Sequence, residues 1–322
     1  WPVIGGVLTD YASWRWIFFL NIPIGVLGGA LALWFFKDFR APAPARFDLV
    51  GFAIIGVALF MLELALENLG HPVLPLALGI TFFPIAAVML LAYWNHARHS
   101  SAPVLDLDLL HIKTFNIGTV IGGLCRVGLD ATPFLLPLLF QVGFGYSATE
   151  AGLLTFSSTF GAMAVRSLSR LLLRLTGFRR ALVGGAVLSG LVTASFALLG
   201  AASPAWIIVL IVLVSGCVRS IQYLALNTIS YADVPPEMLS RATGFGGVAQ
   251  QLARGFGVAL GAALLAVVAG GAPVTTGHFR VVFVLIGLLP LLSAFGFMRL
   301  SPSDGAEVSG YRPPAPKAAA AD

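Results

Sequence analysis

Apolar runs of roughly twenty residues recur along almost the whole chain, and most charged positions fall in or beside the short gaps between them. One run is already under way over 1–9. Others lie near 16–36, 47–66, 73–94, 115–142, 150–173, 180–200, 204–229, 242–270 and 279–299. At ~1.5 Å rise per residue, about 20 apolar residues cross the ~30 Å hydrocarbon core of a bilayer. The pattern therefore predicts an all-α membrane protein with about nine complete transmembrane helices plus one truncated. Gly and Pro inside the runs do not weaken this reading, because membrane helices tolerate both.

Local signals mark where helices begin. Ser13 and Asp48 precede the second and third runs as N-caps. "SATE" at 147–150 is a capping box, with Ser147 and Glu150 satisfying helix-start donors reciprocally. "APAPAR" at 41–46 reads as a short stiff linker, and 301–322 as a disordered tail. With Trp1 in place of Met and a span already under way, the expectation is a piece lacking its N-terminal part.

Composition fixes the solvent. Of 322 residues, 58% are hydrophobic and 10% charged, with a mean hydropathy of +0.93. Soluble domains carry about a quarter charged residues, so lipid is the expected surrounding. Thirteen of the 19 Lys and Arg residues fall in or beside alternate gaps and in the tail; the opposite side holds Arg15 and Arg280. This bias predicts that the basic loops and the C-terminal tail are cytoplasmic. The net charge of +5 then reflects orientation and gives no reason to expect nucleic acid.

Ionisable groups at membrane depth are costly and default to functional candidates. At 100° per residue, Asn116, Thr119, Arg126, Asp130 and Gln141 share one face of 115–142. Ser215, Arg219, Gln222, Tyr223 and Asn227 share a stripe on 204–229, and Thr243, Gln250, Gln251 and Arg254 one on 242–270. The competing reading is that such stripes only glue helices together. Arg126 and Asp130, four apart, are placed to pair. Glu63 is the other embedded acid, either at depth or reaching the interface. The last six runs divide into two triplets whose first members carry stripes and whose third members are apolar. That is the pattern of a three-plus-three inverted repeat, with the third helices facing lipid. Cys125 and Cys217 lie in apolar runs, the five histidines lack metal-ligand spacing, and neither a nucleophile elbow nor a phosphate loop occurs. Neither an enzyme nor a metal site is expected.

The opening stretch carries a more specific signal. "P-x-x-G-G" (Pro2, Gly5, Gly6) followed by "S-W-R-W-I-F-F-x-N-x-P-x-G" resembles the fifth-span signature and following turn of the major facilitator superfamily. The similar branch is the fourteen-span drug:proton antiporters of the QacA/EmrB type. The resemblance continues through "FDLVGF", "LPLLFQVGFGYSATEAGLL", "LTGFRRAL" and "ADVPPEMLSRATGFGGVAQQLARGFGVALG", up to about residue 300. Two departures stand out. Trp1 occupies a usual Gly position, and the loop at 166–180 keeps Gly177, Arg179 and Arg180 but has Arg174 where an acid is usual.

The resemblance implies a major facilitator fold divided as follows: 1–40 the remnant of an N-terminal bundle, 41–94 two extra linker helices, 95–114 a cytoplasmic loop, and 115–300 a complete six-helix bundle. It implies a bacterial inner-membrane exporter of small organic molecules or drugs, driven by a proton gradient, without cofactor. Its partners would be lipid, the substrate and an unspecified periplasmic adaptor. A solute importer of the same superfamily and a non-transporting sensor or scaffold are the alternatives. Three mid-span arginines (Arg126, Arg219, Arg254) against one deep acid, Asp130, suggest a preference for anionic or neutral substrates.

Overall fold

The computed structural model describes residues 15–35, 48–70, 74–100 and 103–311. They are helical almost throughout: α1 (Arg15–Phe35), α2 (Leu49–Gly70), α3 (Leu76–His99), α4 (Lys113–Gly143), α5 (148–176), α6 (178–195), α7 (Ala205–Tyr231), α8 (Leu239–Ala269) and α9 (Thr276–Phe297). Among the described residues, eight helices are long and apolar enough to cross a membrane. The longest, Ala148–Ser195, is broken at Gly177, and its two arms take two of the nine expected places. The stub at 1–9, with Pro2, Gly5 and Gly6, and the cap at Ser13 lie outside the described residues.

Gly177 is where the chain must be glycine. Its φ of 72° and ψ of 164° suit no L side chain, and the Tyr311 ring packs where a Cβ would stand. The break is confined to that one residue. The expected loop at 166–180 is thus corrected to helix on both sides, because Leu168, Leu171, Leu172, Leu173 and Leu175 are strong helix formers with no breaker among them. Similarly, α3 runs to His99, five residues beyond the expected end at 94, and a short 3-10 turn (Leu107–His111) fills much of the expected loop.

Two expected caps form. The Gly51 N–H donates to Asp48 Oδ1 at 2.8 Å, and His96 Nε2 lies 2.9 Å from the same oxygen. Desolvation works to raise the Asp48 carboxyl, but the Gly51 amide and His96 outweigh it and hold it below the usual carboxylate range. At α5, the Glu150 N–H donates to Ser147 Oγ at 3.2 Å and the Ser147 N–H to Glu150 Oε2 at 2.8 Å, closing the capping box.

Helices α4 to α9 form one packed bundle. Leu135, Phe140, Ile208, Val212, Phe279 and Phe283 fill its core at one end, and Cys125, Leu182, Leu226, Ile229 and Phe297 at the other. Helices α5 and α7 meet backbone to backbone: a Cβ at Gly216 would collide with the main chain of Ser158. Ser220 Oγ donates to Ala162 O at 3.2 Å across the same seam. The hairpin α2–α3 packs through Ile55, Ala58 and Tyr93 and docks on α8 beside Phe245 and Val248.

Two expectations need correction here. The third helices of each triplet, α6 and α9, are not lipid-facing all round. Phe279, Phe283 and Phe297 of α9 are fully buried, as are Ser189 and Thr193 of α6, while Leu188, Leu292 and Phe295 remain on the outer surface. One face of each is needed to close the core. The tail from 301 to 311 is also ordered. Lys113 Nζ pairs with Asp304 Oδ2 at 2.9 Å, the Ser301 N–H donates to Asp304 at 2.8 Å, and Tyr311 covers Gly177. Lys113 and Gly177 are distant from the tail in sequence, so local composition could not reveal these two contacts; residues 312–322 lie outside the described residues.

Candidate functional site

Helices α4 and α7 bring four of the candidate side chains into one chain of contacts. Arg126 is buried and its Nη2 donates to Asn227 Oδ1 at 2.8 Å. Its guanidinium lies over the Tyr223 ring, 5.0 Å from the centroid. The Tyr223 hydroxyl in turn donates to Asp130 Oδ1 at 2.5 Å. The expected direct pair between Arg126 and Asp130 does not form; Tyr223 stands between them, presenting its ring face to the cation and its hydroxyl to the acid. A desolvated guanidinium over an aromatic face gains about 2 kcal/mol or more, which offsets part of its burial cost. Arg126 Nη1 is left buried without a hydrogen bond.

Cavities continue from this chain in both directions. Asp130, Tyr223, Arg219, Ser220 and Arg254 line a pocket of about 280 Å³ between α4, α5, α7 and α8. Arg126, Arg219 and Arg254 all lie within electrostatic reach of Asp130. Arg219 also edges a cavity of about 230 Å³ inside the bundle, whose hydroxyls come from Thr132, Thr155, Ser158, Thr159, Ser189, Thr193 and Ser215. Arg254 also edges a third pocket, about 320 Å³, which it shares with Glu63, Glu67 and Gln251 between α2, α4 and α8. A narrow cleft holds Thr119, Arg126, Tyr231 and Gln250.

The remaining candidates lie elsewhere. Gln222 is fully buried, its Nε2 3.4 Å from Leu182 O and 3.5 Å from Cys125 Sγ, and it lines none of the described cavities; it ties α4, α6 and α7 together. Gln141 is exposed on the π-helical turn Leu139–Gly143 at the end of α4. Arg174, Arg179 and Arg180 are exposed around the Gly177 break, and none forms an ion pair with a described acid. The hydroxyls of α5 and α6 were not singled out from sequence. Their spacing (155, 158, 159 and 189, 193) marks one face of each helix, but uncharged Ser and Thr side chains are cheap in lipid because they can return bonds to their own backbone, as Thr155 and Ser158 do.

Comparison with known proteins agrees with this architecture. A sequence profile of the Major Facilitator Superfamily matches residues 1–258. The "Putative multidrug resistance protein MdtD" of Pectobacterium atrosepticum is 33% identical over 309 residues, covering 94% of this chain and 66% of the relative. The proteins of the same name from Pectobacterium carotovorum subsp. carotovorum and Cronobacter sakazakii are 35% and 33% identical, each covering 82% of this chain and 56% of the relative. The chain thus spans less than two thirds of the length of these relatives.

Proposed function

Because the chain belongs to the major facilitator superfamily, we propose that it supplies the C-terminal bundle of an exporter that exchanges small organic molecules for protons. The observation that carries this reading is the convergence of Asp130, Tyr223, Arg219 and Arg254 from three helices on one cavity. Polar groups at this depth are uncommon in membrane helices unless they serve a pathway. A substrate held there, near the midplane, would be reached from either side in turn as the bundles rock. The multidrug-resistance names of the relatives support drug-like substrates. In this reading 1–40 belongs to a preceding bundle, α2 and α3 are accessory helices, and the proton gradient is the energy source.

The three arginines favour anionic or acceptor-rich neutral substrates in this half of the cavity. Asp130 is the acid through which the cavity exchanges its proton. In an efflux-deficient bacterium, the full-length protein should lower accumulation of a fluorescent substrate only while the proton gradient stands. Accumulation identical to that of the empty vector across a panel of anionic, neutral and cationic dyes would overturn the export reading.

The membrane proposed is the bacterial inner membrane, with the basic loops inside. Single cysteines at Ser100 and Gly145, in a background without Cys125 and Cys217, should react oppositely with an impermeant thiol reagent in intact cells. Position 145 is expected to label and position 100 to stay silent; the reverse would invert the topology.

A further inference from the structure

Glu63 sits about ten ångströms inside the end of α2, on the face that meets α8. Its carboxylate lies directly on Gly255: a Cβ there would stand 2.5 Å from Oε2 and 2.7 Å from Oε1. Oε1 is buried and has no hydrogen-bond partner. The walls around it are Leu66, Phe134, Val258 and Ala259. The charge within electrostatic reach is a like one, Glu67, one turn further along the same helix. Facing it from α8 are Gln251 and Arg254, and Arg254 donates to Gln251 Oε1 at 3.3 Å rather than to Glu63. At this level α3 presents no titratable side chain, and α4 presents only Phe134, with Asp130 one turn away in the neighbouring pocket.

Arg254 borders both pockets, that of Glu63 and that of Asp130. It is exposed and held by a single long hydrogen bond. A carboxylate at this depth without a cation or a donor is costly, and the economical state of an acid so placed is the protonated one. We propose that Glu63, on the accessory hairpin, is a second proton-binding residue of this protein. It shares Arg254 with Asp130. With Arg254 held on Gln251 and not bonded to Glu63, as here, Glu63 holds its proton. With Arg254 turned to Glu63, the carboxyl O–H gives that proton to water in the pocket, and Asp130 keeps Arg219 and Arg126 but loses the third of the arginines within its reach. One arginine moving between the two pockets would link the proton occupancy of one acid to that of the other. The hairpin then takes part in coupling instead of acting as a spacer.

The inference rests on the export reading only for the use made of the proton, so its test is spectroscopic. Infrared difference spectra of the purified, lipid-reconstituted protein are recorded across a pH series, with the carboxylic-acid carbonyl band as readout. One band is expected to be lost in Glu63→Gln and kept in Glu67→Gln. Arg254→Gln should keep the Glu63 band at pH values where the native protein has lost it, a displacement of ~1 pH unit or more for a removed neighbouring cation. Gly255→Ala, which fills the seat of the carboxylate, should move the same band while leaving Glu63 in place, so a misfolded Glu63→Gln cannot decide the matter alone. A full set of bands in Glu63→Gln, or a Glu63 band indifferent to Arg254→Gln, would overturn the proposal. Either result would leave the export reading untouched.

Discussion

Gly216→Leu is expected to lower the thermal stability of the bundle more than any substitution at the polar site. At this point α7 lies against the main chain of Ser158, with Gly161 of α5 equally tight against Leu213. Overpacking a core typically costs about 1–3 kcal/mol when side chains can move aside. Here the obstacle is backbone, so α5 and α7 must separate, breaking the Cys217 and Ser220 bonds across the seam. A loss of about 3 kcal/mol or more is expected. Reactivity of the buried Cys125 thiol towards a fluorogenic dye, followed on heating, reports it. Gly184→Ala is the control: nothing lies within 4 Å of that position, and alanine in a helix gains up to ~1 kcal/mol over glycine. Equal melting temperatures for the two variants would disprove the close seam.

Tyr223→Phe is expected to reduce export about tenfold or more while leaving the protein folded. The substitution keeps the ring over which Arg126 lies and removes only the hydroxyl that serves Asp130. Hydrogen bonds to charged groups contribute about 1.5–3 kcal/mol, and 1.4 kcal/mol is about a factor of ten. Asp130→Asn should abolish dependence on the proton gradient outright, and adding Tyr223→Phe to it should cost little more, because both remove one interaction. Initial efflux rates at several external pH values are the measurement. Tyr223→Phe rates equal to the native ones at every pH would detach the tyrosine from the mechanism.

The helices themselves were legible because lipid imposes a simple rule on apolar length, and the caps at Asp48 and Ser147 were legible because they are settled within four residues. What the sequence concealed was settled between helices. The four-residue spacing of Arg126 and Asp130 sees only their own helix, whereas the group that joins them, Tyr223, comes from α7. Arg254 was visible as an embedded cation, but no periodicity could say that Glu63, from a helix outside the bundle, shares its pocket. Gln141 failed for a different reason. A wheel at 100° per residue assumes an unbroken α-helix, and α4 contains π-helical turns at Ile117–Ile121 and Leu139–Gly143. Each holds one surplus residue, which turns everything beyond it by ~100° relative to the wheel. Gln141 lies within the second of these turns.

Those two turns give α4 a property that straight helices lack. A surplus residue in a helix behaves like a dislocation in a crystal: it can glide, by exchanging one set of carbonyl partners for the next, without melting the rod. Residues over which it passes rotate about the axis by ~100°, while those beyond keep their orientation. Arg126 and Asp130 lie on the stretch Gly122–Leu138, flanked by a defect at either end. Glide of either defect into that stretch would swing one charged group away from α7 while both ends of the helix stayed anchored, a rotation like that of a spindle between two bearings.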